Sequence, residues 1–163
     1  KVGVSEAALY RHFASKTKMY ESLIDFIEDT LFSRIRIILT EESDAADRCY
    51  RILTLMLTFS ERNPGITRLL TGDVLTGETD KLHVRIKQLF DRLEIQLKQI
   101  LREAEIAENV RTTCTIGASV NMILALAEGR MSQFVRSGFS RLPTKNWQEQ
   151  WSIAMVGFFR DPT

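Results

Sequence analysis

An all-α fold is predicted by three features of this 163-residue chain. Apolar residues recur by threes and fours along most of it. Alternating β-branched runs and Asn-Gly hairpin signals are missing. Ser, Asp and Asn-Pro stand where helices should begin. Apolar residues make up 44% and charged residues 26%, the balance of a globular domain large enough for a core.

The elements follow in order. In VSEAALYRHFASK, Ser5 caps a short helix ending near Phe13, and Ser15 caps the next. So short a helix does not persist alone in water, so longer ones must hold it. The second helix, Lys16 to Leu39, lines up Tyr20, Leu23, Ile24, Ile27, Leu31, Ile35 and Ile38 on one face. Thr40 to Ser43 break it, and Asp44 caps a third helix running to Asn63, with Ile52, Leu53, Leu55, Met56, Leu57 and Phe59 as its apolar members. In RNPG, Asn63 caps and Pro64 takes the first helical position, which opens a short helix over Gly65 to Thr71.

After the loop TGDVLTGETD comes a long helix, Asp80 to Glu108. Its seam of Leu82, Ile86, Leu89, Leu93, Leu97 and Ile100 is nearly a coiled-coil repeat. Thr112 to Ser137 is apolar over much of its circumference, so burial nearly all round is expected. SGFSRLPTKN is a loop, and WQEQWSIAMVGFF is a last helix packing through Trp147, Trp151, Ile153, Ala154 and Phe158. The last two helices offer more apolar surface than their predecessors need. Two copies paired as a four-helix bundle would cover it, and a large monomeric core is the alternative.

Chemistry is sparse. The two histidines, His12 and His83, fall in different helices, and GxSxG, GxGxxG, P-loop, HExxH and CxxC patterns are missing. Acids such as Asp25, Glu28 and Asp29 sit at helical spacing among polar residues and read as a solvated face. Nothing argues for an enzyme, a metal or a cofactor. Cys49 and Cys114 read as core thiols in a reducing compartment, and no apolar run approaches membrane-spanning length.

Net charge is only +1, but its distribution is uneven: residues 1–18 hold Lys1, Arg11, Lys16 and Lys18 against Glu6 alone. A short helix, a tight turn and a long helix make the back half of a helix-turn-helix, whose recognition helix enters the major groove of double-stranded DNA by its N-terminal end. With Ser5 at that end, small Ala7 and Ala8 allow close backbone approach, and Tyr10 and His12 can donate to phosphates or a base edge. Lys16 and Lys18 can neutralise backbone charge, while Leu9 and Phe13 anchor the inner face. The same spacing also suits Tyr10 and His12 as half-buried packing residues.

VGVSEAALYRHFASK resembles the recognition helix and following helix of TetR-type regulators. The resemblance implies that residues 1–18 are the C-terminal part of a helix-turn-helix domain whose first two helices lie upstream. Residues 19–163 would then be a helical effector and dimerisation domain. LIDFIEDTLFSRI, ERNPGITRLLTG, RIKQLFDRLEIQLKQILRE and RMSQFVRSGF resemble more narrowly the nucleoid occlusion branch of that family. This implies a cytoplasmic, nucleoid-associated homodimer, paired through its last two helices. It would bind chromosomal sites and the tubulin-like division protein FtsZ together and block division-ring assembly over DNA.

The branch's FtsZ-contacting positions fall on Phe26, Arg34, Leu55, Thr58, Arg62 and Asn63. Thr58 stands where the resembling proteins usually carry glycine, and DVLTGETD and EIAENVRTTCTIG also depart from their pattern. At about 100° per residue, Phe26 lies to one side of the second helix's apolar stripe, where it suits either a partner anchor or a wide core face. Arg34 falls inside the stripe's arc, where a charge needs a partner or an exit to water. A ligand-responsive repressor is the rival reading, but RILTLMLTF offers few polar groups to orient a small molecule.

Overall fold

The computed structural model describes residues 16–73 and 80–161, and the described residues form helices joined by turns. These are α1 (Lys16–Glu41), α2 (Ala45–Arg62), α3 (Pro64–Leu70), α4 (Asp80–Ala107), α5 (Ile116–Arg136) and α6 (Trp147–Met155). A single antiparallel bridge, Thr112 with Phe159, is the only extended pairing among them.

Helix starts follow local chemistry. The Asp44 carboxylate accepts from the Asp47 amide at 2.9 Å and caps α2. Asn63 departs from expectation: its side chain makes no capping bond to α3. Its Nδ2 instead donates to the Phe59 carbonyl at 2.8 Å, satisfying the end of α2, while Pro64 opens α3 unaided. The end of α1 is closed by Arg48, whose Nε and Nη2 donate to the Glu42 and Leu39 carbonyls at 2.6 and 2.9 Å.

α2 is the hub, packing on α1, α3, α4 and α5, and α4 also lies against α1 and α5. The α1 stripe of Ile24, Ile27, Leu31, Ile35 and Ile38 and the whole α4 seam from Leu82 to Ile100 are buried together. Ion pairs fasten the rim between α1 and α4: Lys81 with Glu21, and Arg85 with Asp25, both at 2.7 Å.

Four expectations need correction. The helix drawn from Thr112 begins at Ile116, because the Thr115 side chain accepts from the Ala118 amide and caps it there. α5 is not buried all round: Met122 (43% exposed) and Leu126 (37%) face outward with Ala118, Ala125 and Gly129. α6 stops at Met155, where Gly157 at φ 74° turns the chain back toward Thr112, and Ile153 is 68% exposed rather than packed. Cys49 is buried, its thiol pushed up to about 12 by desolvation first and the Asp44 charge second, but Cys114 is exposed in the connector before α5. A thiol outside the helix has no apolar face to bury it.

Candidate partner-binding groove

α1 and α2 leave a trough between their outer edges. On α2, positions 51, 54, 55, 58 and 62 fall on one helical face by steps of three, one and four, and on α1 positions 34, 37 and 41 face them. The middle of the α2 face carries Thr54 and Thr58, too short to fill the space. An open cavity of about 410 Å³ results, lined by Arg34, Ile37 and Glu41 opposite Thr54, Leu55 and Thr58. Phe26 lies further back along α1, 53% exposed, its ring centroid 6.5 Å from that of Phe59.

The trough continues. Tyr50, Thr54 and Thr58 also wall a second open channel of about 460 Å³, whose far side is Thr144, Trp147 and Gln148. Arg62 and Glu61 lie in it. The Trp147 Nε1 donates to Thr54 Oγ1 at 2.9 Å, and Tyr50 stacks on Trp147 with centroids 6.3 Å apart and planes 9° apart. Together the two channels make one surface running from α1 over α2 to α6.

Its charges are arranged unevenly. Glu41 is held by Arg51 at 2.9 Å, and Glu61 accepts from the Thr144 amide and hydroxyl at 3.1 and 2.5 Å. Arg34 and Arg62 are exposed and make no ion pair among the described residues. The Glu41 charge is thus paired and the Glu61 carboxylate is hydrogen-bonded in place, while two guanidiniums are left for a visitor. With Leu55, Ile37 and Phe26 between and beside them, the surface suits an acidic peptide carrying apolar side chains.

Of the sequence-derived positions, Arg34, Leu55 and Thr58 meet in one channel, and Arg62 joins them through Thr58 in the next. Phe26 reaches the α2 side through Phe59. Asn63 stands at the end of α2 with its amide nitrogen already committed to Phe59. Arg34 is solvated, which resolves the charge inside the stripe's arc. Ser5, Ala7, Ala8, Tyr10 and His12 lie outside the described residues. Lys16 opens α1, its ammonium 5.7 Å from the Tyr20 ring centroid. Sequence reasoning missed Ile37, Tyr50, Thr54 and the α6 wall. Ile37 lies off the α1 stripe and could have been found, but the meeting of residues 54 and 147 leaves no local signal.

Exposed apolar residues also stand on α5, where Met122 and Leu126 lie among exposed Ala118, Ala125 and Gly129, and on α6 and just past it, at Ile153 and Val156 (82% exposed). Half-buried Glu128 sits on α5, its carboxyl pushed up by desolvation and then by the Glu94 charge. Among the described residues no helix is long and apolar enough to cross a membrane, and no group of three or more His, Cys, Asp or Glu could hold a metal ion.

Solved structures place this architecture. The MbdR regulator from Azoarcus sp. CIB superposes with a TM-score of 0.77 at 15% identity, over 93% of this chain and 82% of its own. A TetR transcription regulator from Haloarcula marismortui superposes at 0.76 with 16% identity, over 97% and 82%. The fold is that of the TetR-type regulators. Residues 43–157 match the SlmA-like family described as "Tetracyclin repressor-like, C-terminal domain". The nucleoid occlusion factor SlmA of Alteromonas mediterranea is 55% identical over 152 residues, 93% of this chain and 78% of that protein. That of Shewanella woodyi is 56% identical over 151 residues, 93% and 77%. The chain belongs to the SlmA family, a TetR-type line of DNA-binding cell-division regulators.

Proposed function

We propose that the protein is a nucleoid occlusion factor that holds chromosomal DNA and FtsZ at once, disrupts FtsZ polymers and keeps the division ring from assembling over the nucleoid. It works as a homodimer paired through α5 and α6, in the cytoplasm on the nucleoid. The opening segment, with Ser5, Ala7, Ala8, Tyr10, His12 and Lys16, meets double-stranded DNA. The α1–α2 groove takes FtsZ through Phe26, Arg34, Leu55, Thr58, Arg62 and Asn63.

One observation supports the FtsZ assignment: the groove gathers Arg34, Leu55, Thr58 and Arg62 on one continuous surface while its own acids, Glu41 and Glu61, are held by Arg51 and Thr144. A metabolite-binding repressor would want an enclosed pocket with convergent polar groups. This trough is open along its length and suits an extended segment better. Thr58 fits the reading: a small side chain keeps the floor low.

The test is co-sedimentation of FtsZ filaments with the full-length protein, with and without its DNA. Wild-type protein plus DNA should deplete the pellet, and Arg34→Ala or Arg62→Ala should restore it while DNA binding is kept. Undiminished filament loss with both variants refutes the groove assignment.

A further inference from the structure

The groove is not a self-contained feature of α1 and α2. Its α2 wall is held from behind by a chain of contacts that begins on α5. The Arg130 guanidinium lies over the Trp147 ring, 5.4 Å from its centroid, and its Nη2 donates to the Lys145 carbonyl in the turn before α6. Trp147 in turn donates to Thr54 and stacks on Tyr50, both groove-lining residues. Trp151 packs on the same pair, 5.6 Å from Tyr50 and 5.7 Å from Trp147. Glu61, clasped by Thr144, makes a second tie about two turns further along α2.

Arg130 is an expensive choice for this place. Its Nε is buried without a hydrogen-bond partner, and desolvation lowers its proton affinity. A methionine would cover the Trp147 ring without the desolvation that this half-buried guanidinium bears. Arg130 itself lines neither channel, so any part it plays in the groove runs through the residue it covers. What it touches is the indole that fixes Thr54.

We propose that Arg130, Trp147 and Thr54 are positioning residues that set the α2 wall of the groove from the α5–α6 pair, so that affinity for the partner is tuned from the face where a second copy docks. The inference rests on the groove reading above. Ile153 of α6 and Val156 just after it are exposed, while Trp147 and Trp151 of the same helix hold Tyr50 and Thr54. A shift of α6 by a fraction of its radius, imposed when its outer face is covered, moves the hydroxyl and ring that line the groove. Packed cores convert such shifts into discrete rearrangements.

The experiment uses full-length protein and purified FtsZ. Arg130→Met should leave the dimer intact and thermal unfolding unchanged or raised, yet weaken FtsZ binding by about three- to tenfold, the range expected when a positioning bond is lost. Thr54→Val, which removes the acceptor for Trp147, should weaken binding to a similar degree, and Thr54→Ser should restore it. Saturating FtsZ should also shift the tryptophan emission of wild-type protein and not that of Thr54→Val. Binding by Arg130→Met equal to wild type, or a loss that merely follows reduced stability, overturns the proposal. Arg34→Ala separates the two layers: if it too binds as wild type, the groove reading has failed, and if it alone weakens binding, only the relay has.

Discussion

The α1–α2 groove and the α5–α6 face are both open surfaces of one small molecule, and they are open in different ways. The groove is polar-edged, with Thr54 and Thr58 on its floor and, at its sides, Arg34 and Arg62, which make no ion pair among the described residues. The exposed side of α5 and α6 is apolar, with Met122 and Leu126 among alanines and a glycine on α5 and Ile153 on α6. A flat apolar face gains free energy only when a large area meets a matching area, and a second copy supplies that by symmetry. A charged trough rewards a slender ligand with placed acids. The surfaces therefore select different occupants, and a change on one should leave the other's occupant in place unless α6 carries the effect.

The largest expected effect is on the flat side. Leu126→Asp buries an unpaired carboxylate twice in a two-fold interface, so the dimer should weaken by more than about 100-fold. Sedimentation equilibrium measures it, and a dimer of unchanged strength means that the two copies meet elsewhere. In the groove, Arg34→Ala and Arg62→Ala should each cost about tenfold in FtsZ affinity, the worth of one charge-assisted contact, with sedimentation behaviour unaltered. If either variant dissociates the dimer, the two surfaces are not separable.

Phe26→Ala sharpens the contrast within the groove itself. At 53% exposure the ring contributes under about 1 kcal/mol to folding, yet binding should fall about three- to tenfold if it anchors a peptide. Thermal unfolding and FtsZ titration together separate anchor from packing.

The smallest effect is electrostatic. The Glu128 pKa is raised in the folded state, so ionisation costs stability above the carboxylate's unfolded value, and the cost is absent below it. Glu128→Gln should therefore raise stability near neutral pH by less than about 1 kcal/mol after solvent screening, with the gain fading as pH falls through the raised folded value and gone below 4.5. Thermal melts across that range check it; a gain that persists in acid assigns the effect to packing.

Much of the fold could be read from spacing. The α1 stripe and the α4 seam are buried as their periodicity implies, and Asp44 caps α2 as its chemistry implies. The misreadings have a common cause. Periodicity identifies apolar faces but not what covers them, so α5 looked like a core helix when one side faces outward. Cys114 looked buried because the apolar run from Ile116 follows it closely, although the Thr115 cap starts the helix after it. For the groove, Arg34, Leu55 and Arg62 came from resemblance and geometry then joined them. Thr54, Tyr50 and Trp147 depend on contacts spanning 93 residues or more, which no window of sequence displays.

The two thiols leave a practical opening. Cys49 ionises only near pH 12 inside the core, whereas Cys114 stands in solvent just ahead of α5. A maleimide dye at neutral pH will therefore decorate position 114 and spare position 49. In a two-fold assembly that places one fluorophore per copy without engineering, and energy transfer between them would report subunit exchange while FtsZ and DNA are titrated in.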